Sequence, residues 1–180
     1  MTLRIGWQGR FFEDFTVGDI YQHPLGRTLS EADNTWFTLV TMNTAQLHFN
    51  SEAAAQGSEF GKVLINSALT LAISLGQSVI DTSQNAIANL GWEEVVLSHP
   101  VFTGDTLWSE SIVIRARESR SRPDAGVVTI KTRTVNQHGE IVLSCLRTFL
   151  VHRRSAADSL ASFPSTSSPF SEDGPVRGQE

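Results

Sequence analysis

Residues 66–80 constrain this chain more than any other stretch. Asn66-Ser67 leads into Ala68, Leu69, Leu71, Ala72, Ile73, Leu75, Val79 and Ile80, which at helical spacing leave apolar groups on nearly every side. A helix of that kind is expected to be fully buried. Thr70, Ser74 and Gly76 interrupt it, so it falls short of the ~18 apolar residues of a membrane span. Something must wrap it, and the chain downstream supplies strand-like runs at 94–97, 106–117, 127–135 and 140–151, rich in β-branched residues. Val135-Asn136-Gln137-His138-Gly139-Glu140 supplies turn residues between the last two runs, and the last three read as an antiparallel meander. One buried helix beside long antiparallel strands predicts an α+β fold, a sheet curled around a helix. Such a sheet leaves edges that need cover, so a dimer is the default expectation.

Upstream, Val17-Gly18-Asp19 is a turn feeding a short strand at 20–27. Ser30 starts a helix, with Asp33 at its third position as in a capping box. Ala32, Trp36, Phe37 and Val40 give that helix an apolar stripe, and a short Ala-rich helix is expected at 51–55. With 180 residues the chain is long enough for one domain and little more. The packed unit is expected at 9–154, after a lead at 1–8. The Ser-, Pro- and acid-rich end, 155–180, has too few apolar groups to offset its chain entropy and is expected to be disordered. Lys and Arg total 14 against 19 Asp and Glu, a net charge of −5 that disfavours nucleic acid as a partner. Residues 1–7 lack an apolar signal core, so the expected location is the cytoplasm, away from membranes.

Few residues here can do chemistry. Cys145 is the single cysteine, which excludes an intrachain disulfide and a multi-cysteine zinc site; between Leu143 and Leu146 it reads as a small buried hydrophobe. Histidines at 23, 48, 99, 138 and 152 show no ligand spacing, so no metal is expected. There is no nucleophile elbow, P-loop or dinucleotide fingerprint. Glu93 and Glu94 are adjacent on a strand and face opposite sides, so they cannot act as a pair. His48 closes a loop after an amphipathic helix, and Asn43 stands five residues before it. On residue type alone a surface loop histidine competes with a catalytic one.

An ordered series of segments adds weight to the catalytic reading. Phe12-Glu13-Asp14-Phe15-Thr16-Val17-Gly18-Asp19, Arg27-Thr28, Leu47-His48-Phe49-Asn50, Gly61-Lys62-Val63-Leu64-Ile65-Asn66-Ser67 and Val101-Phe102-Thr103-Gly104-Asp105-Thr106-Leu107 together resemble the MaoC-like dehydratases, relatives of the R-specific enoyl-CoA hydratases. The resemblance runs from about Gly9 to Arg153. It implies a hot-dog fold, an active site between protomers and an acyl thioester substrate, with CoA as part of the substrate and no separate cofactor. The family motif D-x-N-P-L-H is matched by Asn43-Thr44-Ala45-Gln46-Leu47-His48, with the histidine kept and the Asp, Asn and Pro positions changed. Imidazole can take a proton from water, whereas an amide has none to titrate and can only orient. The resemblance therefore implies His48 as general base and Asn43 as an orienting group. It also implies a backbone donor for the thioester oxygen at Ser67, preceded by Asn66; either side chain could equally serve as a helix cap. Arg120 and Arg122, in a basic cluster with Arg115 and Arg117, become candidates for the CoA phosphates, against the reading of a solvated loop face. The implied reaction is reversible hydration of a 2-enoyl-CoA to a 3-hydroxyacyl-CoA, with short branched or dicarboxylic (mesaconyl-like) acyl groups a plausible subset. An acyl-CoA thioesterase and an inactive thioester-binding protein are the alternatives, the second prompted by Asn43 at the acid's position.

Overall fold

The structure, a computed structural model, describes residues 4–159, 161–166 and 170. Its elements are β1 (Ile20–Thr28), α1 (Glu31–Val40), α2 (Ser51–Gly57), α3 (Ser67–Ser78), β2 (Ala86–Leu97), β3 (Thr106–Glu118), β4 (Ala125–Val135) and β5 (Ile141–His152). Every neighbouring pair of strands is antiparallel, in the order β1-β3-β4-β5-β2. The expected β3-β4-β5 meander is there, and α3 packs across it, giving the α+β hot-dog arrangement. The expected run at 94–97 is only the end of β2, which begins at Ala86 and is bent by register shifts against β5.

The strands alternate as a one-sided sheet should. Leu107, Val113, Val128, Ile130, Leu143, Cys145, Phe149 and Val151 are buried. Two apolar groups result, one around Leu29, Ile65, Leu69, Val101 and Leu143, the other around Phe15, Val113, Ile130 and Phe149. Burial also pushes the Cys145 thiol up, in keeping with a packing residue rather than a nucleophile.

The centre of the interface between α3 and the sheet is polar, which the sequence pattern does not announce. Thr70, Ser74 and Ser78 recur every four residues and point at the sheet, all buried. Ser74 is hydrogen-bonded to Thr134 (2.6 Å), Thr134 to Ser109 (2.9 Å), and Ser109 donates to Gln77 (2.7 Å). A parallel chain joins Thr132, Ser111 and His23, whose Nδ1 faces Asp81 at 2.8 Å. Arg147 lies at the C-terminal end of α3, bonded to Asn89 (2.8 Å) and reaching Ser78 (3.5 Å), where the helix carbonyls favour a cation. Buried hydroxyls must be paired, and here they pair with one another.

Helix α3 therefore differs from the expectation of full burial. Its sheet side is buried and largely hydroxylic, Leu71, Ile73 and Leu75 are half-buried, and Ala68 and Ala72 are exposed in the single chain. The stripe expected to turn α1 inward also differs. Trp36 is 71% exposed and Val40 is exposed too, while the buried side carries Asn34, Thr38 and part of Phe37. The reason is that Asn34 and Thr38 bond to neighbouring segments, which fixes the helix by its polar face. Ser30 does cap α1, accepting from Asp33 N–H at 3.1 Å while Asp33 accepts from Ser30 N–H at 2.9 Å.

The N-terminal segment closes the far end of the sheet. Trp7 Nε1 donates to the Ile80 carbonyl (2.9 Å) in the π-helical turn Val79–Ser83. The Phe12 ring lies on Gly126. Of the segment expected to be disordered, residues 160, 167–169 and 171–180 lie outside the described residues, as do residues 1–3 of the lead. Ser159 is buried, its Oγ donating to the Gln8 carbonyl and to Asn85 Oδ1 (3.1 Å). No described helix is long and apolar enough to cross a membrane. An added Cβ at Gly126 would fall within the Phe12 ring. Gly126→Ala is therefore expected to cost about 1–3 kcal/mol as an overpacking change, read as a lowered denaturant midpoint at unchanged slope.

Candidate active site

Helix α1 ends in a Schellman turn: Asn43 N–H donates to the Thr38 carbonyl (3.0 Å) and Met42 N–H to the Leu39 carbonyl (3.0 Å). Met42 takes the left-handed conformation, φ 57°, that this turn requires. Asn43 follows and bends the chain again, its Oδ1 accepting from Ala45 N–H at 2.9 Å. A single 3₁₀ turn, Gln46–His48, then delivers the imidazole.

His48 is held by main chain, not by an acid. Its Nδ1 donates to the Leu64 carbonyl at 2.9 Å, because a carbonyl can only accept. Nε2 has no hydrogen-bond partner among the described residues and is the nitrogen left to act as a base. The side chain is half-buried. No Asp or Glu among the described residues pairs with it, and Asn43, though close in sequence, makes no hydrogen bond to it.

The strand-like segment 64–66 is shared by the histidine and the helix. Leu64 N–H donates to the Leu47 carbonyl (3.1 Å) and Ile65 N–H to the Val101 carbonyl (2.9 Å). Asn66 then caps α3, its Oδ1 accepting from Ala68 N–H at 3.0 Å. Ser67 N–H has no acceptor among the described residues and heads the helix. Within four residues the chain thus passes from the carbonyl that orients the imidazole to an unused donor at a helix N-terminus. Beside them lies a cavity of about 230 Å³ lined by Phe60, Leu64, Ile65, Ser67, Thr70 and the 97–101 loop. A wider cleft of about 450 Å³ opens between Leu47, α2 and Phe60.

Asn34 ties these parts together. It is fully buried on α1, and its Nδ2 donates to both the His48 carbonyl (2.7 Å) and the Leu64 carbonyl (3.1 Å), while its Oδ1 accepts from Asn66 N–H (2.8 Å). The sequence reading passed over it because it sits in a helix interior, where asparagine carries no chemical signature.

The arginine candidates lie elsewhere. Arg122 forms a two-pronged ion pair with Asp124 (2.8 and 3.2 Å) in the turn from β3 to β4. That turn and the Val101–Thr106 region bracket the length of β3, 13 residues or about 40 Å. Arg120 is exposed on the same turn, so neither arginine is brought to His48 within the chain. Lys62 is nearer in the fold, its Nζ 3.8 Å from the Phe102 ring centre, with Phe60 packed edge-on against that ring at 5.5 Å. Among the described residues no group of three or more His, Cys, Asp or Glu is arranged to hold a metal.

Asn34→Ala would leave the His48 carbonyl and the Asn66 N–H unpaired and the Leu64 carbonyl with His48 alone. The expected outcome is a loss of about 2–4 kcal/mol in stability, with protection of the 64–66 amides from hydrogen exchange falling first.

The profile of the mesaconyl-CoA hydratase family matches residues 5–170. A mesaconyl-CoA hydratase of Cereibacter sphaeroides is 36% identical over 149 residues, covering 83% of this chain and 43% of the relative. The chain spans less than half the length of the curated relatives it matches. A MaoC-like dehydratase from Rhodospirillum rubrum superposes with a TM-score of 0.71 at 31% identity, covering 81% of this chain and 99% of that one. A Mycobacterium tuberculosis protein with a double hot-dog fold matches at a TM-score of 0.74 and 20% identity, over 96% of this chain and 53% of that one, and speaks for the fold alone. On the match of that family's profile over most of its length and on these similarities, the chain belongs to the mesaconyl-CoA hydratase family, within the MaoC-like dehydratases.

Proposed function

We propose that this protein is a hydro-lyase that reversibly adds water to a mesaconyl-like 2-enoyl-CoA, giving the 3-hydroxyacyl-CoA. The observation that carries the reading is His48, with Nδ1 committed to a carbonyl and Nε2 free, beside the unused Ser67 N–H at the start of α3. In hydration His48 Nε2 takes a proton from water as its oxygen bonds to C3 of the thioester. The electron pair moves to the thioester oxygen, where the Ser67 N–H and the helix N-terminus stabilise it. A proton then enters at C2 from His48 or the water it holds, so that one water is added overall. Asn43 has no titrating proton; its free amide N–H groups can hold the water or the acyl group.

Pairing with a second copy completes this reading. Strand β2 is an edge of the sheet and exposes Leu90, Trp92, Val95, Val96 and Leu97, an apolar edge that invites cover. The longer relatives have room for a second unit of this size beside the matched one. Sedimentation is expected to show a dimer, and Trp92→Glu to shift it to monomer; a monomeric wild type would remove the pairing.

Turnover is followed by the absorbance of the enoyl thioester with mesaconyl-CoA. His48→Ala is expected to lower kcat by about 10²–10⁴-fold, the usual worth of a general base. Full activity in that variant would exclude His48. Release of free thiol instead of loss of the enoyl absorbance would assign a thioesterase. Binding without turnover, unrestored by Asn43→Asp, would assign an inactive binder.

A further inference from the structure

The cavity beside Ser67 is apolar on most sides, with Phe60, Leu64, Ile65 and Val101 in its wall. Its polar groups are Ser67, Thr70, Ser98 and His99, with no acidic side chain among the lining residues. His99 follows the end of β2, and its Nδ1 donates to the Ile141 carbonyl at 2.8 Å. A carbonyl can only accept, so Nδ1 carries a proton, and Nε2 is left without a partner among the described residues. The Ser98 backbone is pinned by its N–H to the Val142 carbonyl (3.0 Å), while its hydroxyl is likewise unpartnered among the described residues. The cavity therefore offers a fixed imidazole and a hydroxyl, and His99 is the one titratable group in its lining.

We infer that His99, assisted by Ser98, binds the free carboxylate of a dicarboxylic acyl group and so sets the preference of this site for such substrates over simple enoyl chains. This rests on the hydratase reading above. In a four-carbon dicarboxylic chain the distal carboxyl carbon lies three bonds from the thioester carbon, at most about 4–5 Å away. A group that binds it must therefore sit close to the Ser67 N–H, which would hold the thioester oxygen. The buried cation Arg147 fails that test. It meets α3 at Ser78, about 17 Å along the helix from Ser67 at 1.5 Å per residue. His99 shares one cavity with Ser67. A carboxylate is bound by the imidazolium form, in which Nδ1 keeps its bond to the Ile141 carbonyl while Nε2 also carries a proton and donates it, a charge-assisted hydrogen bond selective for an anion over a methyl group.

The experiment compares wild type, His99→Leu and His99→Gln on mesaconyl-CoA and crotonyl-CoA, with binding of succinyl-CoA and butyryl-CoA measured by calorimetry. The expected result is a fall of about 10–100-fold in kcat/KM for mesaconyl-CoA in His99→Leu, mostly through KM. His99→Gln should recover part of it, and crotonyl-CoA turnover should stay within about twofold, which also reports that the variants fold. Equal losses on both substrates, or no loss on mesaconyl-CoA, would overturn the assignment. If wild type hydrates neither ester, the hydratase reading fails. The binding arm then decides the subsite by itself: a preference for succinyl-CoA that His99→Leu abolishes supports it, and no such preference in wild type overturns it.

Discussion

The side chain of Asn34 is the interaction on which the rest of the site depends. One amide, buried on α1, holds the His48 loop, the Leu64 carbonyl and the Asn66 N–H in a single arrangement. Each of those groups is main chain in an irregular segment, so regular secondary structure cannot pair it. A carboxamide offers two donors and an acceptor within one planar group; aspartate of similar size could only accept, and leucine could satisfy none of that demand. Asn66 repeats the device one step on, donating to Thr38 (3.2 Å) and capping α3. The imidazole and the helix start are thus positioned by α1 through amides, with no salt bridge to the site among the described residues.

This division of labour explains the unusual interior. A hot-dog sheet would ordinarily meet its helix through aliphatic side chains, yet Ser74, Ser109, Ser111, Thr132 and Thr134 fill the middle of the contact. Small hydroxyl residues let the helix approach the sheet closely, and mutual hydrogen bonds offset the cost of taking them out of water. Directional bonds also fix the rotation and slide of α3 over the strands, which an aliphatic contact would leave looser. The position of Ser67 at the head of the helix follows from that registration.

Much of the fold was legible in the residues. The run at 66–80 announced a helix, the β-branched runs announced the meander, and Ser30 with Asp33 announced the start of α1. What periodicity could not convey was the polar side of each helix. Thr70, Ser74 and Ser78 look like interruptions in an apolar run, and Asn34 and Thr38 look like the solvent face of α1, because hydropathy counts a hydroxyl or amide as outward whether or not a partner awaits it. The site was legible in part: His48, Asn43, Asn66 and Ser67 all fall in one region, reached through the ordered segments rather than through any local pattern. Arg120 and Arg122 were singled out by their basic cluster and the phosphate anchor that the resemblance implies, and Arg122 is paired with Asp124. Lys62 and His99 had no signal in sequence, since each stands alone and gains meaning only from the aromatic ring or the carbonyl that the fold sets beside it.

The unclaimed N–H of Ser67 belongs to the peptide and not to its side chain. Mutational drift at that residue can exchange the hydroxymethyl for almost any group without erasing the donor, so selection acting on it leaves little trace in residue identity. What natural selection can see is the Asn34 amide on α1, which holds the Asn66 N–H, and the Asn66 carboxamide cap just before the donor. An alignment scored for invariant letters would accordingly point to the scaffold's asparagines, and a reader hunting for catalytic side chains would pass over the atom proposed to meet the developing negative charge.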